Sequence, residues 1–277
     1  MKILNYLLFI GCFTVSTFGQ TRMMDEIRDH TAGTAVWWIG QDSWIIKSDS
    51  LVIGTDLFLE NSGRIAPAPV TPEELAGVID ISFVTHGHGD HFNEFTSKIL
   101  AERSSCLFVL PESCLAKARE LKIPENRIVT ARPREPFNVK GIKVEPVRAI
   151  HGNANFAIYY EANLQDCGYL LTINNIRFLQ PGDTYLLEDH LFLKNVNVLF
   201  VSPTEHNMYI DPSVILINTL DPDLIFPQHH STIAVNDENR FWAKGYPDEV
   251  RIRLSKSLIN KYHILSPGDK FVINKKN

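Results

Sequence analysis

The chain has 277 residues, 44% of them hydrophobic and 21% charged, which supplies a substantial core and excludes a disordered tail. Lys and Arg total 27 against 32 for Asp and Glu, a net charge of -5 that argues against a general nucleic-acid binder. Four cysteines are too few for a disulfide scaffold at this length.

Met1-Lys2, an apolar run from Ile3 to Val15 and then Ser16-Thr17-Phe18-Gly19-Gln20 have the plan of a secretory signal, with cleavage expected near Gly19. The expected organisation is a signal peptide over 1–19 and a single domain over 20–277, in an exported, periplasmic or secreted protein. Gly11-Cys12 offers a less favoured route, lipid-anchored export through Cys12. No later stretch is long and apolar enough to span a bilayer.

Strands are expected at Ala35–Ile39, Ser43–Lys47 and Leu51–Ile53, with Trp37, Trp38 and Trp44 packing between sheet layers. Asn61–Pro72 reads as a loop. Thr71-Pro72-Glu73-Glu74 then opens a helix, with a cap, a first-turn proline and acids at the positive end. A strand over Val78–Thr85 follows, then a helix over Glu94–Arg103, a strand over Cys106–Leu110 and a helix over Glu112–Leu121. Phe137–Arg148 reads as two strands turning at Lys140-Gly141. Further strands are expected at Phe156–Glu161, Tyr169–Ile173, Arg177–Leu179, Val196–Val201 and Leu224–Phe226, with helices over Pro212–Leu220 and Asp248–Tyr262. Two sheets with helices outside fit this order.

The chemistry is concentrated after the Val78–Thr85 strand, in His86-Gly87-His88-Gly89-Asp90-His91. In an extended chain His86 and His88 point the same way, and the glycines let the backbone turn so that Asp90 and His91 face a second point nearby. Imidazole and carboxylate donors suit zinc, and also iron or manganese.

This His-x-His-x-Asp-His run resembles the signature of the metallo-β-lactamase superfamily, and the similarity extends from about Val36 to the end of the chain. The resemblance implies a four-layer αββα sandwich of two mixed sheets flanked by helices. Asp56 ends an opening strand as the superfamily's strand-end aspartate does. Arg148-Ala149-Ile150-His151-Gly152 resembles the next ligand motif, Pro181-Gly182-Asp183-Thr184 the motif with a bridging aspartate, and Pro227-Gln228-His229-His230 the last ligand motif. Leu265-Ser266-Pro267-Gly268-Asp269 resembles the closing element of the branch that includes L-ascorbate-6-phosphate lactonase-like hydrolases.

Carried over by position, the resemblance implies one metal site of His86, His88 and His151 and a second of Asp90, His91 and His229, bridged by Asp183. Asp56 would orient a ligand histidine. His229 matches the family spacing; the neighbouring His230 would then support a ligand or face substrate, and the opposite assignment stays open. Two divalent ions, zinc foremost with manganese or iron as alternatives, would activate a shared water against a small ester, lactone or phosphoester, with Asp90 ligating and handling the proton. Nothing else in the sequence is needed as nucleophile, and there is no Gly-x-Ser-x-Gly elbow and no phosphate-binding loop of the Walker type.

The chain also departs from that branch. Gly40-Gln41 stands where Gly-His is common, and Thr204-Glu205-His206-Asn207 stands where a glycine-rich stretch follows the late strand. Glu205 and His206 are therefore candidates for substrate contact or an acid/base pair. Arg132, Arg134 and Arg148 are candidates for holding an anion, though solvated surface charge is the plainer reading. The competing functions are β-lactam hydrolysis and a non-catalytic metal- or solute-binding protein on the same scaffold. A small-molecule substrate is expected, nucleic acid is not, and the oligomeric state stays open. Cys106 and Cys114 could pair after export.

Overall fold

A computed structural model describes residues 17–60, 63–152 and 163–274. Most of the expected signal segment, Cys12 and the expected strand at Phe156–Glu161 lie outside the described residues. The first helix, α1 (Thr17–Asp29), begins inside the segment expected to be removed. Among the described residues no helix is long and apolar enough to cross a membrane.

A meander follows: β1 (Thr34–Gly40), β2 (Ser43–Ser48) and β3 (Leu51–Thr55). Helix α2 (Pro72–Ala76) starts with a reciprocal cap, in which Thr71 Oγ1 accepts from the Glu74 amide at 3.2 Å and Glu74 Oε2 accepts from the Thr71 amide at 2.9 Å. Next come β4 (Ile81–Phe83), α3 (Glu94–Arg103), β5 (Leu107–Pro111), α4 (Leu115–Glu120) and β6 (Ile128–Ala131). The second half runs β7 (Phe137–Val139), β8 (Ile142–Arg148), β9 (Cys167–Ile173), β10 (Ile176–Gln180), α5 (Glu188–Leu191), β11 (Val198–Val201), α6 (Ile210–Leu220) and β12 (Leu224–Pro227). It closes with α7 (Arg240–Ala243), α8 (Pro247–Arg251), α9 (Lys256–Ile259) and β13 (Lys270–Ile273).

The strands form two mixed sheets, ordered β13-β1-β2-β3-β4-β5-β6 and β12-β11-β10-β9-β8-β7. Three apolar clusters separate four layers. Met24, Trp37, Phe92 and Phe108 fill the space between the first sheet and its helices. Trp38, Trp44, Phe83, Tyr169, Phe178 and Phe200 fill the space between the sheets. Leu170, Leu199, Leu216 and Val250 lie between the second sheet and its helices. This is the αββα sandwich the motifs implied.

Strand alternation corrects one expectation. Trp38 and Trp44 pack between the sheets, but Trp37 points to the opposite face, where its Nε1 donates to Glu26 Oε2 of α1 at 3.4 Å. The single late helix expected over Asp248–Tyr262 is two short ones: α8 stops at Arg251, and Ser255 caps α9 by accepting from the Leu258 amide at 3.4 Å. Cys106, Cys114 and Cys167 are all free and buried, so the open Cys106–Cys114 pairing is not formed.

Topology gathers the site at one end. β1, β3, β4 and β5 run parallel to one another in the first sheet, and β8, β10, β11 and β12 do so in the second. The C-terminal ends of β1, β3, β4, β8, β10, β11 and β12 carry Gln41 and Asp42, Asp56, the His86–His91 run, His151, Asp183, His206 and His229 in turn.

Candidate metal centre

After β4 the chain passes through Val84 and Thr85 into the histidine run, which turns sharply because the amides of both His91 and Phe92 donate to the His88 carbonyl, at 3.1 and 2.7 Å. That turn places His86 Nε2 3.1 Å from His88 Nδ1 on one side. On the other side His91 Nε2 lies 3.8 Å from Asp90 Oδ2. Gly182, just before Asp183, is required by close approach: its φ is +65°, and a Cβ there would lie 2.7 Å from the Thr85 side chain.

Asp183 is the centre of the arrangement. Its Oδ2 is 3.4 Å from His151 Nε2, 3.5 Å from His91 Nε2, 3.5 Å from His229 Nε2 and 2.8 Å from His206 Nε2. The potential ligand atoms of His86, His88 and His151 lie within 4.8 Å of one another, and so do those of Asp90, His91 and His229. The two triads inferred from position therefore each converge, with Asp183 against both.

Supporting contacts fix the rings. Asp56 Oδ1 accepts from the Thr85 amide at 2.8 Å, and its Oδ2 accepts from Thr85 Oγ1 at 2.7 Å and from His91 Nδ1 at 3.0 Å. His151 Nδ1 donates to the Gly152 carbonyl at 2.5 Å, which turns Nε2 towards Asp183. Gln41, the residue at the first departure, places its amide Nε2 3.3 Å from Asp90 Oδ2 and 3.1 Å from His229 Nδ1. Asp42 was not singled out from sequence. It is fully buried, takes bonds from Ser202 Oγ at 3.1 Å to both carboxylate oxygens, and its potential ligand atom lies within 4.8 Å of those of Asp183 and His229. Its only sequence signal was its place beside Gln41 at the end of β1.

The remaining candidates fall elsewhere. His230 lies against Trp38, with ring centroids 4.4 Å apart, and its Nδ1 meets Ser231 Oγ; burial pushes its pKa down to about 4. Glu205 turns away from His206: its Oε1 accepts from Tyr246 and lies 3.4 Å from Arg240 Nε, so the two do not form an acid/base pair. Arg134 and Arg148 are paired with Glu188 and Asp189, and Arg132 with Glu112, so none of the three guanidinium groups stands free for an anion. Cys167 is not in the cluster, and burial pushes its thiol above the usual range.

The residues fit a cation. His91 Nε2, His151 Nε2, His229 Nε2 and Asp183 Oδ1 are buried and have no hydrogen-bond partner, and these atoms crowd one small volume. Without a cation the cluster must hold protons. Burial pushes His91 and His229 down, but nearby carboxylates, Asp183 foremost, outweigh it: His91 is held well above its ordinary value and His229 is pushed up to about 9. Burial pushes Asp183 up, and His229, His91 and His206 outweigh it, holding the carboxyl well below the usual range. Burial and then the Asp183 charge push Asp42 well above that range. Burial and then His91 hold His86 well below its ordinary value, so its nitrogen is bare. Beside His86, His88 and His151, a cavity of about 290 Å³ opens, with Ser113, Asn163 and Asp166 on its wall.

Residues 35–229 match the family model described as the beta-lactamase superfamily domain. The chain belongs to that superfamily. It is a hydrolase of the metallo-β-lactamase type. A UPF0173 metal-dependent hydrolase of Desulforamulus reducens is 21% identical over 238 residues, covering 84% of this chain and 96% of that protein. One of Carboxydothermus hydrogenoformans is 25% identical over 248 residues, covering 86% and 99%. Among solved structures, Igni18, a metallo hydrolase from Ignicoccus hospitalis, superposes with a TM-score of 0.70 at 16% identity, covering 88% of this chain and 99% of that one. This superposition supports the sandwich and its layer order.

Proposed function

We propose that this superfamily member is an exported hydrolase that uses two divalent ions to cleave a small ester, lactone or phosphoester. The observation that carries the reading is the convergence of two triads, His86-His88-His151 and Asp90-His91-His229, on the single carboxylate of Asp183. The triads would hold one ion each and Asp183 would bridge them. A donor set of imidazoles and carboxylates without thiolate suits zinc, with manganese or iron as alternatives.

The ions, when bound, supply Lewis acidity and a nucleophile at neutral pH. The chain's own residues do the rest. Asp90, the cluster carboxylate with a side chain still 21% exposed, is kept ionised: burial pushes it up, and His91 and His229 outweigh that. It is placed to accept the nucleophile's proton, while the Gln41 amide holds its Oδ2. Asp56 and Thr85 fix the His91 ring. Ser113, Asn163 and Asp166 give the adjoining cavity a polar wall, and its volume suits a small substrate. Export rests on the apolar Ile3–Val15 run and the small residues after it.

The test is metal content of wild type and Asp183→Ala, purified without chelator, followed by a panel of esters, lactones and phosphodiesters. About two ions per wild-type chain, fewer in the variant, and turnover that His88→Ala abolishes are expected. A wild-type chain that takes up no metal after reconstitution, or unchanged hydrolysis in His88→Ala, would sink the reading. A mature N-terminus near residue 20 on protein recovered from outside the cytoplasm would support export, and retention of Met1 would refute it.

A further inference from the structure

We infer that His206 is an additional metal ligand, sharing with Asp183 and His151 the ion on the His86-His88-His151 side. The inference rests on the two-metal reading above and on a residue that stands where the resembled branch has a glycine-rich stretch.

The ring is anchored by the backbone. His206 is 3% exposed. Its Nδ1 lies 3.2 Å from the Phe241 carbonyl oxygen, an acceptor that favours a proton on that nitrogen. The His206 amide donates to the same carbonyl at 3.2 Å, tying ring and backbone to one anchor. Thr204 Oγ1, 2.9 Å from Nδ1, closes the outer side of the ring. Nε2 faces Asp183 Oδ2 at 2.8 Å, a gap that a proton spans in the metal-free chain and that a shared cation would take over.

Three other imidazole nitrogens already surround that oxygen at 3.4 to 3.5 Å. His206 closes the ring around it, and the potential ligand atoms of His151, Asp183 and His206 lie within 4.8 Å of one another. Its ring centroid is 4.9 Å from that of His151 and 5.6 Å from that of His229, which favours the His151 side. A histidine whose outer nitrogen donates to a carbonyl while the inner one faces the cluster has the polarity of a metal-bound imidazole.

The experiment uses the full chain loaded with cobalt(II), a paramagnetic stand-in for zinc. A ligated histidine with a protonated outer nitrogen gives a far-shifted, exchangeable proton resonance in one-dimensional NMR. His206→Gln keeps an amide that can hydrogen-bond Asp183 but removes the imidazole. The expected result is one fewer shifted exchangeable resonance, with cobalt affinity lost by tenfold or more for one ion and kept for the other. Loss of no resonance while two ions bind overturns the inference and leaves the two-metal reading standing. Failure of wild type to bind cobalt overturns both. If His206→Gln misfolds by circular dichroism, His206→Ala titrated with free imidazole replaces it: return of the missing resonance supports ligation, and its presence before imidazole is added refutes it.

Discussion

Asp56 Oδ2 lies 3.0 Å from His91 Nδ1, and both side chains are fully buried. The contact fixes the proton on the outer nitrogen of His91 and turns the inner one towards Asp183 and Asp90. Asp56 is itself held by the Thr85 amide and hydroxyl, so ring, carboxylate and strand end form one rigid unit. Asp56→Asn can present an amide nitrogen where His91 needs an acceptor. It is expected to weaken binding of the ion on the Asp90-His91-His229 side by about tenfold to a hundredfold, with the other ion little affected. Competition against a chromophoric chelator reads the two affinities separately.

Metal uptake should release protons. His229 is pushed up from 6.5 to about 9, so below that value a proton occupies the ring and the ion must displace it. His91 is raised in the same direction. Apparent affinity should therefore climb as pH rises towards about 9, by about tenfold per pH unit for each proton released, and the His229 contribution should level off above. The same sign governs folding without metal. A folded-state value above the unfolded one gives stabilisation that is complete below 6.5 and lost as pH rises through about 9. Calorimetric titration in buffers of different ionisation enthalpy counts the protons. A pH-independent affinity would show that His229 is already neutral.

The arginines make the opposite prediction. Arg148 and Arg134 converge on Asp189, at 2.9 and 2.6 Å, and so tie the end of β8 to the start of α5. Both are committed to that network, and neither contributes to the cavity beside the histidines. Arg134→Ala and Arg148→Ala should leave KM unchanged for any substrate found, including an anionic one. A KM increase of tenfold or more confined to anionic substrates would show that the network opens to bind them.

Much of this architecture is legible in the sequence because the residues that carry it act locally. Glu94–Arg103 is a helix at the expected bounds, since Asn93 caps it by accepting from the Thr96 amide and Glu94 and Arg103 suit the two ends of its dipole. The hairpin at Lys140-Gly141 forms because both residues adopt positive φ. The metal-type motifs can be read because each sits directly after an apolar strand, and the parallel strand directions bring those ends together. Asp42 could not be read this way. An aspartate two residues after a glycine looks like any turn, and only the fold reveals that it is buried close to Asp183 and His229. The orientation of His206 was equally hidden, because it depends on Phe241, 35 residues away. Strand β6 and the closing strand β13 are short edge strands whose pairing, rather than composition, defines them.

Trp44 couples the core to the site and allows the two to be separated. Its ring packs between the sheets against Phe200 and Phe226, at centroid distances of 4.4 and 5.4 Å, and its Nε1 donates to Gln228 Oε1 at 2.8 Å. Gln228 immediately precedes His229, whose backbone is held at a φ of +61° by its amide bond to the Gln41 carbonyl. Trp44→Ala should cost about 3–5 kcal/mol through the cavity it leaves between the sheets. Trp44→Phe keeps most of the packing and loses one buried donor, a cost of about 1–3 kcal/mol. Gln228 Oε1 retains the Gln180 Nε2 bond at 3.1 Å, so His229 should stay in place and metal content should be unchanged in Trp44→Phe. Urea unfolding of the metal-free protein measures the first pair of numbers and metal analysis the second. A Trp44→Phe variant that folds at near wild-type stability yet loses an ion would show that the indole bond, and not the Gln41 carbonyl, holds His229 in register.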